Sequence, residues 1–266
     1  MILPETFQIY AIRYARVDRG AAENFLGGDP HNGPMPLDFF VWAVTNPRRT
    51  LIIDTGFNSA TAARRKREFL SCPTEGLRLI GIDATTIADV IVTHMHYDHI
   101  GNFDLFPSAT FHLQDREMAY TTGRYMCHPP LRNSFDVEDV VGLVRKVHSD
   151  RVQFHDGEAE LFPGLSLHWV GGHTAGIQVV RVWTQRGWVV LASDATHFYA
   201  NMEQDRPFPI VFNVGDAVEA FRTLRRLADS PRHIVPGHDP LVLVRYPAPR
   251  YDLRGIVARL DVDPAD

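Results

Sequence analysis

Thr93-His94-Met95-His96-Tyr97-Asp98-His99-Ile100-Gly101-Asn102 packs three imidazoles and a carboxylate into one short stretch. Imidazole nitrogen and carboxylate oxygen are the donors that zinc and neighbouring divalent metals accept. At this chain's histidine and aspartate content, an HxHxDH string arises by chance with a probability of about 0.0025, so the pattern carries information. It closes an apolar run over residues 88–93 that reads as a buried strand, and chemistry in layered α/β folds gathers in loops at strand ends.

Working outward, three further segments end apolar runs on a metal-binding residue: Gly171-Gly172-His173-Thr174-Ala175-Gly176, Ala192-Ser193-Asp194 and Pro236-Gly237-His238-Asp239. Glycine beside two of these histidines lets the backbone approach a crowded centre. The candidate ligands are therefore His94, His96, Asp98, His99, His173, Asp194 and His238. Such a set suits two metals that share one carboxylate. The expected division is His94, His96 and His173 on one ion, Asp98, His99 and His238 on the other, and Asp194 between them. Asp54, at the end of an apolar run over residues 50–56, is the candidate to orient an imidazole from outside.

The remaining pattern alternates strands and helices. Strands are expected over 7–17, 38–44, 109–113, 151–154, 165–170, 177–183, 188–192 and 232–235, from β-branched and aromatic content. Helices are expected over 59–70, 115–121, 135–147 and 216–228, the last from an apolar stripe at helical spacing. Residues 20–36 form a Gly/Pro-rich loop, and residues 122–133 read as irregular. No linker or composition break divides the 266 residues, so one domain with a two-sheet core and helices outside is the economical solution.

Composition narrows the partners. A net charge of -5 gives no basic footprint for nucleic acid. Arg64-Arg65-Lys66-Arg67 is the one concentrated positive cluster and reads as the solvated face of a surface helix. Cys72 and Cys127 form no CxxC pair, which removes a thiolate zinc site and a disulfide framework. With no basic start followed by an apolar core and no long apolar run, a cytoplasmic protein that binds no membrane is expected. His31, His112, His128, His148, His155, His168 and His233 lack ligand-like neighbours and read as surface or satisfied core residues. Phe25, Met35, Phe39 and Phe40 read first as core, with a channel lining as the alternative.

The HxHxDH string, the later His, the Asp and the final His, in this order, resemble the metallo-β-lactamase superfamily. Within it, HxHxDHxGN, the GHTxG turn and the final GH are most similar to the N-acyl-homoserine lactonase branch. The resemblance implies an α+β fold, an αββα sandwich of two central mixed sheets with helices on the outer faces and a dinuclear site at one edge. It implies two divalent metal ions, zinc first, with manganese, iron or cobalt as alternatives. The implied substrate is a small lactone, a quorum-sensing signal or a catabolic intermediate, in a monomer or homodimer. Two cations roughly 3.5 to 4 Å apart would generate the bridging hydroxide that attacks the ester carbonyl. Asp98 is the expected proton carrier. The branch usually places a Tyr three residues after the bridging Asp. Here that position is His197, and Tyr199 follows two residues later, so stabilising the reacting oxygen falls to Tyr199 ahead of His197. The competing readings are a glyoxalase II-type thioesterase, an RNase Z-type phosphodiesterase and a metal-binding scaffold without turnover. The missing C-terminal helical domain, the acidic balance and the complete ligand set count against these in turn.

Overall fold

The apolar alternation in the first fifty residues sets one face of the molecule. In the computed structural model, which describes residues 4–265, β1 (Gln8–Val17) and β2 (Leu37–Asn46) pair antiparallel along almost their whole length. β2 sends Phe40, Trp42 and Val44 into one core and Phe39, Val41 and Ala43 into another. A strand buried on both faces belongs in the middle of a layered structure. The sheet continues through β3 (Arg49–Ile53), β4 (Glu68–Phe69), β5 (Asp89–Ile91), β6 (Thr110–Gln114) and β7 (Val152–His155), with β3, β5, β6 and β7 parallel to one another.

The second sheet holds β8 (Glu158–Phe162), β9 (Leu165–Trp169), β10 (Gln178–Thr184), β11 (Gly187–Ser193) and β12 (Ile234–Pro236), antiparallel except for the β11–β12 pair. The chain then returns as β13 (Val257–Arg259) to the outer edge of β1. Ile9, Trp42 and Ile53 of the first sheet share a core with Leu167, Val180 and Leu191 of the second. Outside the first sheet, Leu77 of the helix Pro73–Leu79 and Leu143 of the helix Val137–Val147 pack over Ile12, Ile52 and Val90. Over the second sheet, the helix Val214–Leu227 buries Ala217, Ala220, Phe221 and Leu224. Asn213 caps this helix by accepting from the amides of Gly215 and Asp216. The layers run helix, sheet, sheet, helix, which is the αββα sandwich expected.

The differences are local. The helix expected over 59–70 stops at Arg65, because Lys66 takes a left-handed conformation (φ 55°) and the chain enters β4. The helix Pro73–Leu79 and the strands β8 and β13 carry no periodic signal long enough to read. Residues 122–133 contain a short helical turn, Pro129–Arg132. No helix among the described residues is long and apolar enough to cross a membrane.

Candidate metal centre

Five strand ends meet at one edge of the sandwich. β3 runs into Asp54, β5 into His94, β9 into His173, β11 into Asp194 and β12 into His238. The turns that deliver the last two histidines need glycine. Gly172 sits at φ +95°, and a Cβ on it would lie 2.5 Å from the backbone of Ala217. A Cβ on Gly237 would lie 2.7 Å from the Ser193 carbonyl. Any larger residue would push the sheet ends apart and take His173 and His238 with them.

The ring nitrogens converge in two groups. His94 Nε2 lies 3.0 Å and His173 Nε2 2.9 Å from His96 Nδ1. His99 Nε2 lies 3.6 Å and His238 Nε2 3.8 Å from Asp98 Oδ2. Asp194 stands between the groups. Its Oδ2 is 3.1 Å from His173 Nε2 and its Oδ1 is 2.9 Å from His238 Nε2. All seven side chains are buried.

The opposite side of three of the rings is held by a partner of fixed polarity. His173 Nδ1 donates to the Ile210 carbonyl at 2.7 Å, His238 Nδ1 to the Asp38 carbonyl at 2.8 Å, and His99 Nδ1 to Asp54 Oδ2 at 2.7 Å. A carbonyl oxygen can only accept, so in its neutral form either ring, His173 or His238, turns a lone pair toward the centre. In that form His238 Nε2 sets a lone pair 2.9 Å from Asp194 Oδ1, a contact that a metal cation or a proton on the ring relieves. His99 Nε2 and Asp194 Oδ1 are buried atoms without a hydrogen-bond partner among the described residues. The donor chemistry and these orphaned atoms fit divalent metal ions.

Electrostatics point the same way. Burial holds His94 and His96 well below the usual imidazole range, so both are neutral donors. Burial also pushes His99 down, yet Asp194, Asp98 and Asp54 outweigh it and hold that ring well above its usual value. Burial opposes charge on Asp194 as well, but His197, His238, His99 and His173 keep it ionised well below the ordinary carboxylate range. The pocket thus concentrates carboxylate charge that a cation would balance.

The clamps go beyond Asp54. Asp54, itself left-handed (φ 61°), also accepts from the Thr93 amide at 2.8 Å and the Thr93 hydroxyl at 2.7 Å, which fixes the start of the histidine loop. Glu117 escapes sequence reasoning. Fully buried, it accepts from Met95 N at 2.8 Å, Thr174 Oγ1 at 2.7 Å and Gly176 N at 3.0 Å. It ties the loop carrying His94 and His96 to the turn carrying His173. Only its placement on the buried side of the helix Asp115–Thr121 marks it, and sequence spacing does not reveal that side.

His197 and Tyr199 part company. His197 Nε2 lies 3.0 Å from Asp194 Oδ2, and its ring stacks on Phe208 at 3.7 Å and 5°. Both residues line a cavity of about 80 Å³ over Asp98, Asp194 and His238. Tyr199 opens the helix Tyr199–Glu203 and points into the core of the second sheet, with the Arg245 guanidinium 4.0 Å over its ring. The preference for Tyr199 is therefore corrected: the helix start turns it away from the cavity and leaves His197 facing it. A concavity of about 580 Å³ between Thr74 and Leu105 lies apart from these residues.

The metallo-beta-lactamase superfamily model matches residues 38–238, from the carboxylate of β2 to the last histidine. The chain belongs to this superfamily. Among curated members, it is 27% identical over 225 residues to the N-acyl homoserine lactonase AttM of Azorhizobium caulinodans, covering 77% of this chain and 82% of that protein. It is 31% identical over 131 residues to the N-acyl homoserine lactonase AiiB of Agrobacterium fabrum, covering 48% of this chain and 47% of that one. The match to the N-acyl homoserine lactonase of Bacillus cereus spans 60% of that relative at 26% identity and 61% of this chain. A quorum-quenching N-acyl homoserine lactone lactonase superposes with a TM-score of 0.73 at 20% identity, over 89% of this chain and 94% of that one. The hydrolase AbOPH superposes with a TM-score of 0.70 at 14% identity over 100% of both chains. The structural likenesses are likenesses of fold.

Proposed function

We propose that this chain is a metal-dependent hydrolase that opens a lactone ring. His94, His96 and His173 would hold one divalent ion, Asp98, His99 and His238 a second, with Asp194 placed to serve both. Zinc suits these donors best, with manganese, iron or cobalt as substitutes. The observation that carries this reading is the pair of donor groups meeting on the two oxygens of Asp194 beneath a cavity. Two divalent ions at such a site acidify water toward a pKa of about 7 and polarise an ester carbonyl. The naming of several superfamily relatives as N-acyl homoserine lactonases supports the choice of a lactone.

The chain's own groups supply orientation. Asp54, the Asp38 carbonyl and the Ile210 carbonyl hold Nδ1–H of three imidazoles, so each ring keeps one tautomer and one direction. Asp98, at the cavity wall, takes the proton released as water's oxygen bonds to the acyl carbon. The ring C–O bond breaks, the departing oxygen receives a proton, and the products are a hydroxyl and a carboxylate with one proton released. His197, held by Asp194 and Phe208, faces the departing oxygen in place of the expected Tyr199.

That released proton makes a pH-stat the direct test. Zinc-loaded protein on a panel of five- and six-membered lactones should consume base. A chelator should abolish consumption and added metal restore it. Absence of chelator-sensitive ring opening on every member, with protein shown to be fully metallated, overturns the proposal.

A further inference from the structure

The cavity mouth carries charge that the histidine floor does not need. Arg19, Arg65 and Arg67 line the same cavity as Asp98, Asp194 and His238. Two of them come from the cluster that reads, in sequence, as a solvated helix face. That reading holds for Arg64, which pairs outward with Asp136, but fails for its neighbours. Lys66 ends the helix in a left-handed conformation, and Arg65 and Arg67 both come back onto Tyr97. The Arg65 guanidinium lies 3.8 Å over the Tyr97 ring, and Arg67 Nε donates to Tyr97 Oη at 3.1 Å. The residue after Tyr97 is Asp98, so both cations are braced on the turn that carries a proposed ligand.

These cations are positioned without being neutralised. Arg65 donates to the backbone carbonyls of Asn133 at 3.0 Å and Phe135 at 3.2 Å, which fix its plane but carry no net charge. The two Nη groups of Arg67 have no hydrogen-bond partner among the described residues, and neither arginine has a carboxylate at ion-pair distance among them. Arg19, over the Phe208 ring at 5.0 Å, donates to the Glu23 carbonyl at 2.8 Å, and its one carboxylate neighbour among the described residues is Glu23 at 3.9 Å, whose side chain is 60% exposed. A partly buried charge of this kind is costly until an anion meets it, and a guanidinium fork matches a carboxylate in two parallel hydrogen bonds. Room above the floor is small. About 80 Å³ compares with roughly 300–1,000 Å³ for sites that enclose drug-sized ligands, so a reacting ring and a short arm to the rim use the space.

We propose that Arg67, with Arg65 and Arg19 beside it, forms an anion subsite, and that the substrate is a compact lactone bearing its own carboxylate. The ring-opening step rests on the lactonase reading above; the anion grip does not. The test compares γ-butyrolactone with 5-oxotetrahydrofuran-2-carboxylate as substrates of the zinc-loaded protein. Their opened products, 4-hydroxybutyrate and 2-hydroxyglutarate, are compared by titration calorimetry. The carboxylate-bearing lactone should be favoured about 10- to 100-fold in kcat/KM, mainly through KM. Arg67→Gln should remove most of that preference, Arg67→Lys should fall between, and 2-hydroxyglutarate binding should weaken in step. If turnover and product binding are indifferent to the extra charge, or to Arg67, the anion subsite is overturned while the lactonase reading stands. If neither lactone opens yet 2-hydroxyglutarate binds with the expected Arg67 dependence, the subsite stands and the lactonase reading falls. No turnover with no charge-selective binding overturns both.

Discussion

The first sheet carries two histidine–aspartate clusters, one in the loop after β5 and one running across the sheet from the first residue of β5. In the first, His94, His96 and His99 follow the strand; in the second, Asp89 opens it and is joined by His112 of β6 and His155 of β7. The far cluster is a line. His112 Nε2 meets Asp89 Oδ1 at 3.0 Å, and His112 Nδ1 meets His155 Nε2 at 3.1 Å. One tautomer of each ring makes every contact a donor facing an acceptor, so nothing is left over. The near cluster is a knot in which the outer nitrogens of His99, His173 and His238 are fixed as donors, while His99 Nε2 and Asp194 Oδ1 find no partner among the described residues. Buried imidazoles do not make a metal site by number. What separates the clusters is whether protons alone can satisfy the geometry.

Swapping the damage between the clusters gives the largest contrast. His173→Ala removes one donor of the knot, and loss of the metal's charge stabilisation, several kcal/mol, lowers kcat/KM by on the order of 10³-fold, with measured metal content falling alongside. His112→Phe breaks the line instead. It should leave metal content and turnover near the parent while urea unfolding shows a loss of roughly 1–3 kcal/mol, since Asp89 and His155 lose their partner. Metal loss in His112→Phe, or full activity in His173→Ala, would erase the distinction.

A smaller effect separates His197 from Tyr199. With its ring against Asp194, His197→Ala should lower kcat by about 10²-fold, the scale of one lost oxyanion donor. Tyr199→Phe, in the second-sheet core, should stay within about twofold by the same measure. Equal losses in the two variants would return the role to Tyr199.

What could be read in advance follows the same division. HxHxDH, GHTxG and the final GH were legible because each candidate ligand group follows an apolar strand within a few residues, and a strand end fixes position even when the fold is unseen. Asp54 was legible for that reason too. Glu117 was not, since its value lies in three donors brought from two distant loops. The turn of Arg65 and Arg67 toward the cavity depends on one left-handed residue, Lys66, which residue type does not announce. The two-residue strand β4 is too short for any period to show, and β8, with Glu158 exposed and Phe162 half-buried, has the pattern of an edge and lacks an apolar run.

The smallest effect sharpens the contrast from outside the centre, by comparing two buried carboxylates in different company. Asp194 is held ionised by four imidazoles, whereas Asp139, half-buried on the helix Val137–Val147, is pushed up to about 7 by burial and then by Asp136, with Arg64 and Arg65 opposing. A folded-state pKa above the unfolded value of about 3.9 means that the folded chain holds the proton more tightly. The stability linked to it is complete below about pH 4, declines as pH rises, and is gone once pH passes about 7. Asp139→Asn cannot ionise and escapes that decline. Its Tm, measured beside the parent, should match near pH 4.5 and exceed it by about 2–4 °C at pH 8. Subtracting the parent's curve cancels the acid loss of metal that both proteins share. A gap that stays flat or closes between those pH values would show that Asp139 is as well satisfied as the histidine line, and that the unmet charge in this molecule is confined to its metal-binding edge.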